Sequence, residues 1–106
     1  PILNTLLLLE IIKMIKVKQL RSHTSGRDIP NQFIITDKDR TIFQSYDSII
    51  AIKWNDGDIF LDKTYWDYSR TTGKYRNQFL GEDIKTTRKK IKSREYRLVD
   101  LNNTYN

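Results

Sequence analysis

Arg70, Lys74, Lys85, Arg88, Lys89 and Lys92 are the side chains whose type and spacing point most directly to a chemistry, the binding of phosphates. They belong to a stretch, residues 70–97, that carries ten basic residues against three acidic ones. The chain as a whole carries +6, so this segment holds the entire positive balance. A positive surface of that kind suits a polyanion. Just upstream, Tyr65, Trp66 and Tyr68 interleave aromatic rings with charge, the composition that stacks on bases beside a phosphate-binding face. Two other readings stay open for the same residues. The lysines can be a solvated helical face, and the rings can close the core between sheet and helix. An aromatic-rich patch also suits a protein interface.

Other chemistry has thinner support. There is no cysteine and a single histidine, His23, in the loop-like run Arg-Ser-His-Thr-Ser-Gly. Disulfides, thiolate zinc sites and cysteine nucleophiles are excluded, and a Ser-His-Asp arrangement would have to run through His23 alone. The absence of cysteine fits a reducing cytoplasm. Asp56, Asp58 and Asp62 flank one hairpin and could hold magnesium, but Asp56 belongs to the turn, no acid–acid–lysine nuclease spacing is present, and turn chemistry explains them better. Thr71-Thr72-Gly73-Lys74 lacks the upstream glycine and trailing hydroxyl of a phosphate loop. No enzyme, cofactor or metal is expected.

These residues need a scaffold, and 106 residues make one small domain. Hydrophobic side chains at 38% and aromatics at 11% allow a modest core. Residues 1–13 read differently from the rest. Leu6 to Leu9 with Ile11 and Ile12 form an apolar run too short to span a bilayer, so no membrane is expected. An early positive charge and a small-residue cleavage site, the marks of a signal peptide, are absent. Two readings remain. Leu3 to Lys18 can be an amphipathic or buried helix. Alternatively Met14 is the natural start, because Glu-Ile-Ile-Lys before a Met can be encoded by a purine-rich ribosome-binding site and spacer. In either case the domain proper is 14–106.

From Met14 the pattern has period two. Ile15, Val17 and Gln19 alternate with Lys16, Lys18 and Leu20, as in a strand with one wet face. Arg21 to Pro30 reads as a loop, Gln32 to Thr36 as a strand, and Thr41 to Tyr46 as another. Asp47-Ser48 makes a turn before the apolar strand Ile49 to Trp54. Asn55-Asp56-Gly57 supplies the positive φ angles of a tight hairpin, and Ile59 to Leu61 return. Ser69 caps a helix from Arg70 to Leu80 that Gly81 ends. Glu82 and Asp83 sit where the next helix, near 83–93, favours negative charge. Tyr96, Leu98 and Leu101 suit a closing strand near 95–101. The fold class is α+β: an antiparallel β-meander of four to five strands packed against two helices of the C-terminal half. Tyr75, Phe79, Leu80, Ile84 and Ile91 should cover the sheet's apolar face.

Three runs carry a resemblance: Phe43 to Ala51, Tyr65 to Gly81 (Tyr-Trp-Asp-Tyr-Ser through Phe-Leu-Gly) and Arg97 to Asn102. Over about residues 14–102 the chain resembles a group of small uncharacterised proteins of bacteriophages and mobile elements. The resemblance implies action in the cytoplasm of a bacterial host and attaches no activity. The expected function is a small accessory protein that binds nucleic acid without catalysis through the basic helical face. The alternatives are a protein-binding inhibitor or modulator of a host system, with a host or phage protein as partner, and a minor structural virion protein.

Overall fold

The structure is a computed structural model that describes residues 2–103, with only the backbone described for Ile2, Leu3 and residues 11–13. Helix α1 (Ile2–Met14) leads into a six-stranded sheet: β1 (Lys16–Arg21), β2 (Asp28–Thr36), β3 (Arg40–Ser45), β4 (Ser48–Trp54), β5 (Ile59–Asp62) and β6 (Tyr96–Val99). Helices α2 (Arg70–Leu80) and α3 (Ile84–Lys92) lie between β5 and β6 in the chain. Strands β1 to β5 are neighbours in sequence order and antiparallel, whereas β6 joins β5 in parallel. The fold is therefore α+β. The one departure from a meander has a plain cause. A parallel partner needs a crossover, and the helical pair provides it.

Period-two alternation places Ile34, Phe43, Ala51 and Leu61 in one register row across four strands. That row faces α2, where Phe79 meets Phe43 at a ring separation of 5.7 Å. A β4 bulge opposite Phe43 turns both Ile50 and Ala51 into the core. Tyr75, Leu80 and Ile91 pack against this cluster as expected, and so do Tyr65 and Trp66. Ile84 is half-buried and lies outside the cluster.

The next row, Ile35, Ile42, Ile52 and Phe60, crosses the opposite face. Trp54 stands edge-on to Phe60 at 5.7 Å, Arg40 lies over Trp54, and Arg97 lies over Phe60. The sheet is thus apolar on both faces, with arginines lying across the aromatic rings of the second.

Several local expectations change. α1 stops at Met14 rather than running to Lys18, because the Lys/Val/Lys alternation that follows pairs with β2. In β1 it is Leu20, not Val17, that is buried, since the register shifts between Gln19 and Arg21, and Ile15 just before the strand is exposed as well. β2 begins at Asp28, inside the stretch read as a loop. Arg21 pairs with Asp28 across that irregularity, which leaves Pro30 free of any need to donate. The β3–β4 turn is Tyr46-Asp47 rather than Asp47-Ser48, closed by the Ser45–Ser48 pair. At the next hairpin only Gly57 has positive φ (101°). Its N–H reaches the Trp54 carbonyl while the Trp54 N–H reaches Asp58, a three-residue loop with a glycine bulge.

Candidate nucleic-acid interface

Local chemistry fixes the two helices that carry the basic residues. Ser69 Oγ accepts the Thr72 N–H at 3.1 Å and starts α2; Gly81, at φ 69°, returns its N–H to Asn77 and ends it. Asp83 is the cap of α3 and accepts the Thr86 N–H at 2.8 Å, a bond that holds its carboxyl below the ordinary range. Glu82 instead turns inward. Burial pushes its carboxyl up, but hydrogen bonds from Thr87 (2.6 Å), Tyr96 (2.7 Å) and Lys90 (3.0 Å) outweigh that and hold it low. The network ties the α3 start to β6.

The loop that enters α2 is built on Asp62, which is fully buried. One carboxylate oxygen accepts the Thr64 and Tyr65 amides at 3.0 and 2.8 Å, and the other accepts the Leu101 amide at 2.8 Å. Asp56 likewise accepts the Asp58 amide within its turn. The Asp56 and Asp62 carboxylates therefore shape backbone, and among the described residues no three acidic, histidine or cysteine groups gather as a metal site.

Arg70, Lys74 and Arg88 come together. With Ser69, Gly73 and Asn77 they line an open cleft of about 600 Å³ between α2 and α3. Lys85, Lys89 and Lys92 are exposed on α3 at helical spacing and continue the positive charge outside that cleft. The acid facing the cleft is Asp67, which pairs with Arg88 at 3.5 Å and with Arg76 at 3.1 Å.

The aromatic run divides. Tyr65 and Trp66 pack against the core, and the Arg76 guanidinium lies 5.2 Å from the Trp66 ring, so Trp66 is engaged on that side. Tyr68 is 70% exposed, its ring edge-on to Tyr65 at 5.3 Å.

Sequence reasoning missed two residues. Arg76, counted among the basic residues, is 1% exposed and holds the α2 entry loop: Nη1 donates to the Trp66 carbonyl (2.7 Å) and to Asp67 (3.1 Å), and Nη2 to Asn77 (2.8 Å). Gly73, one turn earlier beneath the guanidinium, was the available signal. Tyr46, at the tip of the β3–β4 turn, is the other. It lies in the same cleft as Tyr65 and Tyr68.

No helix among the described residues is long and apolar enough to cross a membrane. No curated protein and no solved structure matches the chain. A family profile described as "Family of unknown function (DUF8033)" matches residues 15–96. That span runs from the start of the sheet to its closing strand and takes in both basic helices, so the chain belongs to the DUF8033 family of unknown function.

Proposed function

We propose that this protein binds nucleic acid without catalysis, through the cleft between α2 and α3 and the exposed face of α3. The observation that carries the proposal is the convergence of Arg70, Lys74 and Arg88 from two helices on one cleft, with Lys85, Lys89 and Lys92 extending the charge along α3. A merely solvated helix would not need cations of separate elements to meet. The resemblance to mobile-element proteins adds a setting, an accessory protein acting in a bacterial cytoplasm.

Salt dependence tests it. Each phosphate neutralised releases counterions, so log affinity should fall linearly with log salt, by about 0.9 for each phosphate on duplex and about 0.7 on a single strand. Replacing Lys85, Arg88, Lys89 and Lys92 together by Ala should flatten the slope by about one for each phosphate no longer neutralised. Absence of binding at roughly 20–50 mM salt, where counterion release favours complexes most, would refute the proposal. It would put a host or phage protein partner in front, including the inhibitor and virion roles.

A further inference from the structure

Tyr46 is the first of the two loop residues of the β3–β4 hairpin, and its φ is 53°. Glycine is favoured at such a position, because a side chain in the left-handed region crowds its own backbone. The strain is not recovered by packing, since the Tyr46 side chain is 58% exposed. Its backbone is pinned nonetheless: the N–H donates to the Asn31 carbonyl at 2.7 Å, and the carbonyl accepts from Gln44 at 2.7 Å. An aromatic residue held in a strained and exposed position asks for a role outside the fold.

Tyr46 lines a cleft of about 350 Å³ with Tyr65 and Tyr68, and Ser48 adds a hydroxyl, while the buried Ser45 and Thr72 hydroxyls bond each other at 3.1 Å. Past residues 1–13, the exposed large hydrophobic side chains among the described residues are Met14, Ile15, Val17, Tyr46, Tyr68 and Leu98. The two aromatic ones, Tyr46 and Tyr68, wall this one cleft. Ser69, the cap of α2, lines both this cleft and the neighbouring one that holds Arg70, Lys74 and Arg88. An aromatic pocket and a cationic groove therefore meet at the start of α2.

The two halves select different parts of one ligand. Rings edged with hydroxyls suit a flat heterocycle with a polar rim, while Asp47 in the same cleft repels a phosphate and leaves it to the arginines next door. A heterocycle joined to phosphodiesters is a nucleotide in a strand. In a duplex the faces of each base are covered by its neighbours, so a ring can stack on it only when the strand is unpaired.

We infer that the ligand is single-stranded nucleic acid, with a base stacked against Tyr46 and Tyr68 and the flanking phosphates on Arg70, Lys74 and Arg88. The inference rests on the nucleic-acid reading above and specifies its substrate.

The test uses the full chain and labelled oligonucleotides of about 12 nucleotides, within the usual footprint of such sites. Single-stranded DNA, single-stranded RNA and the DNA duplex are compared by fluorescence anisotropy at one low salt concentration. One of the two single strands should bind at least about tenfold tighter than the duplex, and which one it is assigns the sugar. Tyr46→Gly and Tyr68→Ala should each weaken single-strand binding by roughly 5- to 150-fold and leave duplex binding unchanged. Tyr46→Gly places glycine where the backbone prefers it, so its melting temperature should hold or rise, and weaker binding then reports the missing ring. Equal affinity for single strand and duplex, or full single-strand affinity when Tyr46→Gly and Tyr68→Ala are combined, overturns the inference while leaving salt-dependent binding by the basic face intact. No binding of any oligonucleotide at low salt overturns both.

Discussion

Replacing Arg76 by Ala should unfold this protein at markedly lower temperature, whereas the same change at Arg70 or Arg88 should not. The Arg76 side chain is 1% exposed and serves three acceptors on two segments: the Trp66 carbonyl, Asp67 and Asn77. Removing it strands the Trp66 carbonyl and the Asn77 amide oxygen, each at about 1–3 kcal/mol if it stays dry. Loss of the guanidinium from the Trp66 ring adds about 0.5–2 kcal/mol. Asp67 counts for little, because its side chain is 38% exposed and keeps Arg88. These terms span about 2.5–8 kcal/mol, and because Trp66 and Asn77 are only half-buried the low end applies, about 3–4 kcal/mol, within the range for breaking a buried charged pair. For a domain of this size that is a fall in melting temperature of about 15–25 °C. Arg70→Ala and Arg88→Ala remove exposed cations and should stay within about 0.5 kcal/mol of the parent. Arg76→Lys should recover less than half the loss, since one ammonium cannot span the three acceptors. Urea unfolding followed by circular dichroism measures all four. A loss below about 1 kcal/mol for Arg76→Ala would refute the view of Arg76 as the brace of the α2 entry loop.

The Glu82 network gives a pH signature with two signs. Glu82 titrates below its usual 4.5, so its contribution is present above that value and is lost as pH falls through the carboxylate range. Burial, with the neighbouring Glu82 carboxylate, pushes Tyr96 from 10.0 up to about 12, so its contribution is present below pH 10 and is lost between there and 12. Lys53 runs the other way, because burial lowers its ammonium and raising pH toward 10.5 relieves the fold. Lys90, whose ammonium the Glu82 hydrogen bond holds above its usual 10.5, adds an alkaline loss of the same sign. Tyr96→Phe should therefore reduce the alkaline loss in a melting series without abolishing it, and an unchanged loss would place it elsewhere. Gly73→Ala should stabilise by about 0.5–1 kcal/mol, because the added Cβ would sit 3.6 Å from the Arg76 nitrogens and Asp67, an ordinary van der Waals distance; destabilisation in urea would mean that the brace cannot accept the methyl. A chain starting at Met14 should melt with the full chain, since Leu6 to Leu9 are exposed on α1, and a loss of several degrees would show that they fill a core.

The parts of this fold that were legible in the sequence are those where one residue carries its own geometric reason. Ser69 and Gly81 bracket α2 at the positions expected, because a cap hydroxyl and a left-handed glycine act locally. The strands from Ile42 to Leu61 follow alternation in the same way, apart from the β4 bulge at Ile50 and a β3–β4 turn one residue earlier than expected. What was not legible depends on distant partners. β2 starts early because Asp28 pairs across an irregularity with Arg21, and nothing near Gly26 or Pro30 announces it. The parallel pairing of Ile59 with Tyr96 is set by where the helical crossover delivers the chain. Arg76 looks like any exposed helical arginine until Trp66 and Asp67 are brought beneath it.

That same dependence changes what the basic segment offers to a ligand. Of its ten bases, Arg76 is sealed inside, Lys90 is bound to Glu82 and Tyr96, and Arg97 lies over Phe60 on the far side of the sheet. Each of these makes an intramolecular interaction that a phosphate would have to displace. The cations left for a polyanion are chiefly Arg70 and Lys74 at the cleft, Arg88 once it leaves the half-exposed Asp67, and Lys85, Lys89 and Lys92 along α3. Net charge therefore overstates the surface, and a salt slope reports phosphates neutralised rather than bases present. Six phosphates neutralised on a single strand give a slope of about −4, and all ten bases acting alike would give about −7. A measured slope near the larger value would mean that Arg94 joins and that Lys90, Arg97 and even the buried Arg76 leave their partners on binding. Tyr96 would then lose one of the two groups bonded to its hydroxyl, a change its fluorescence and its titration should register.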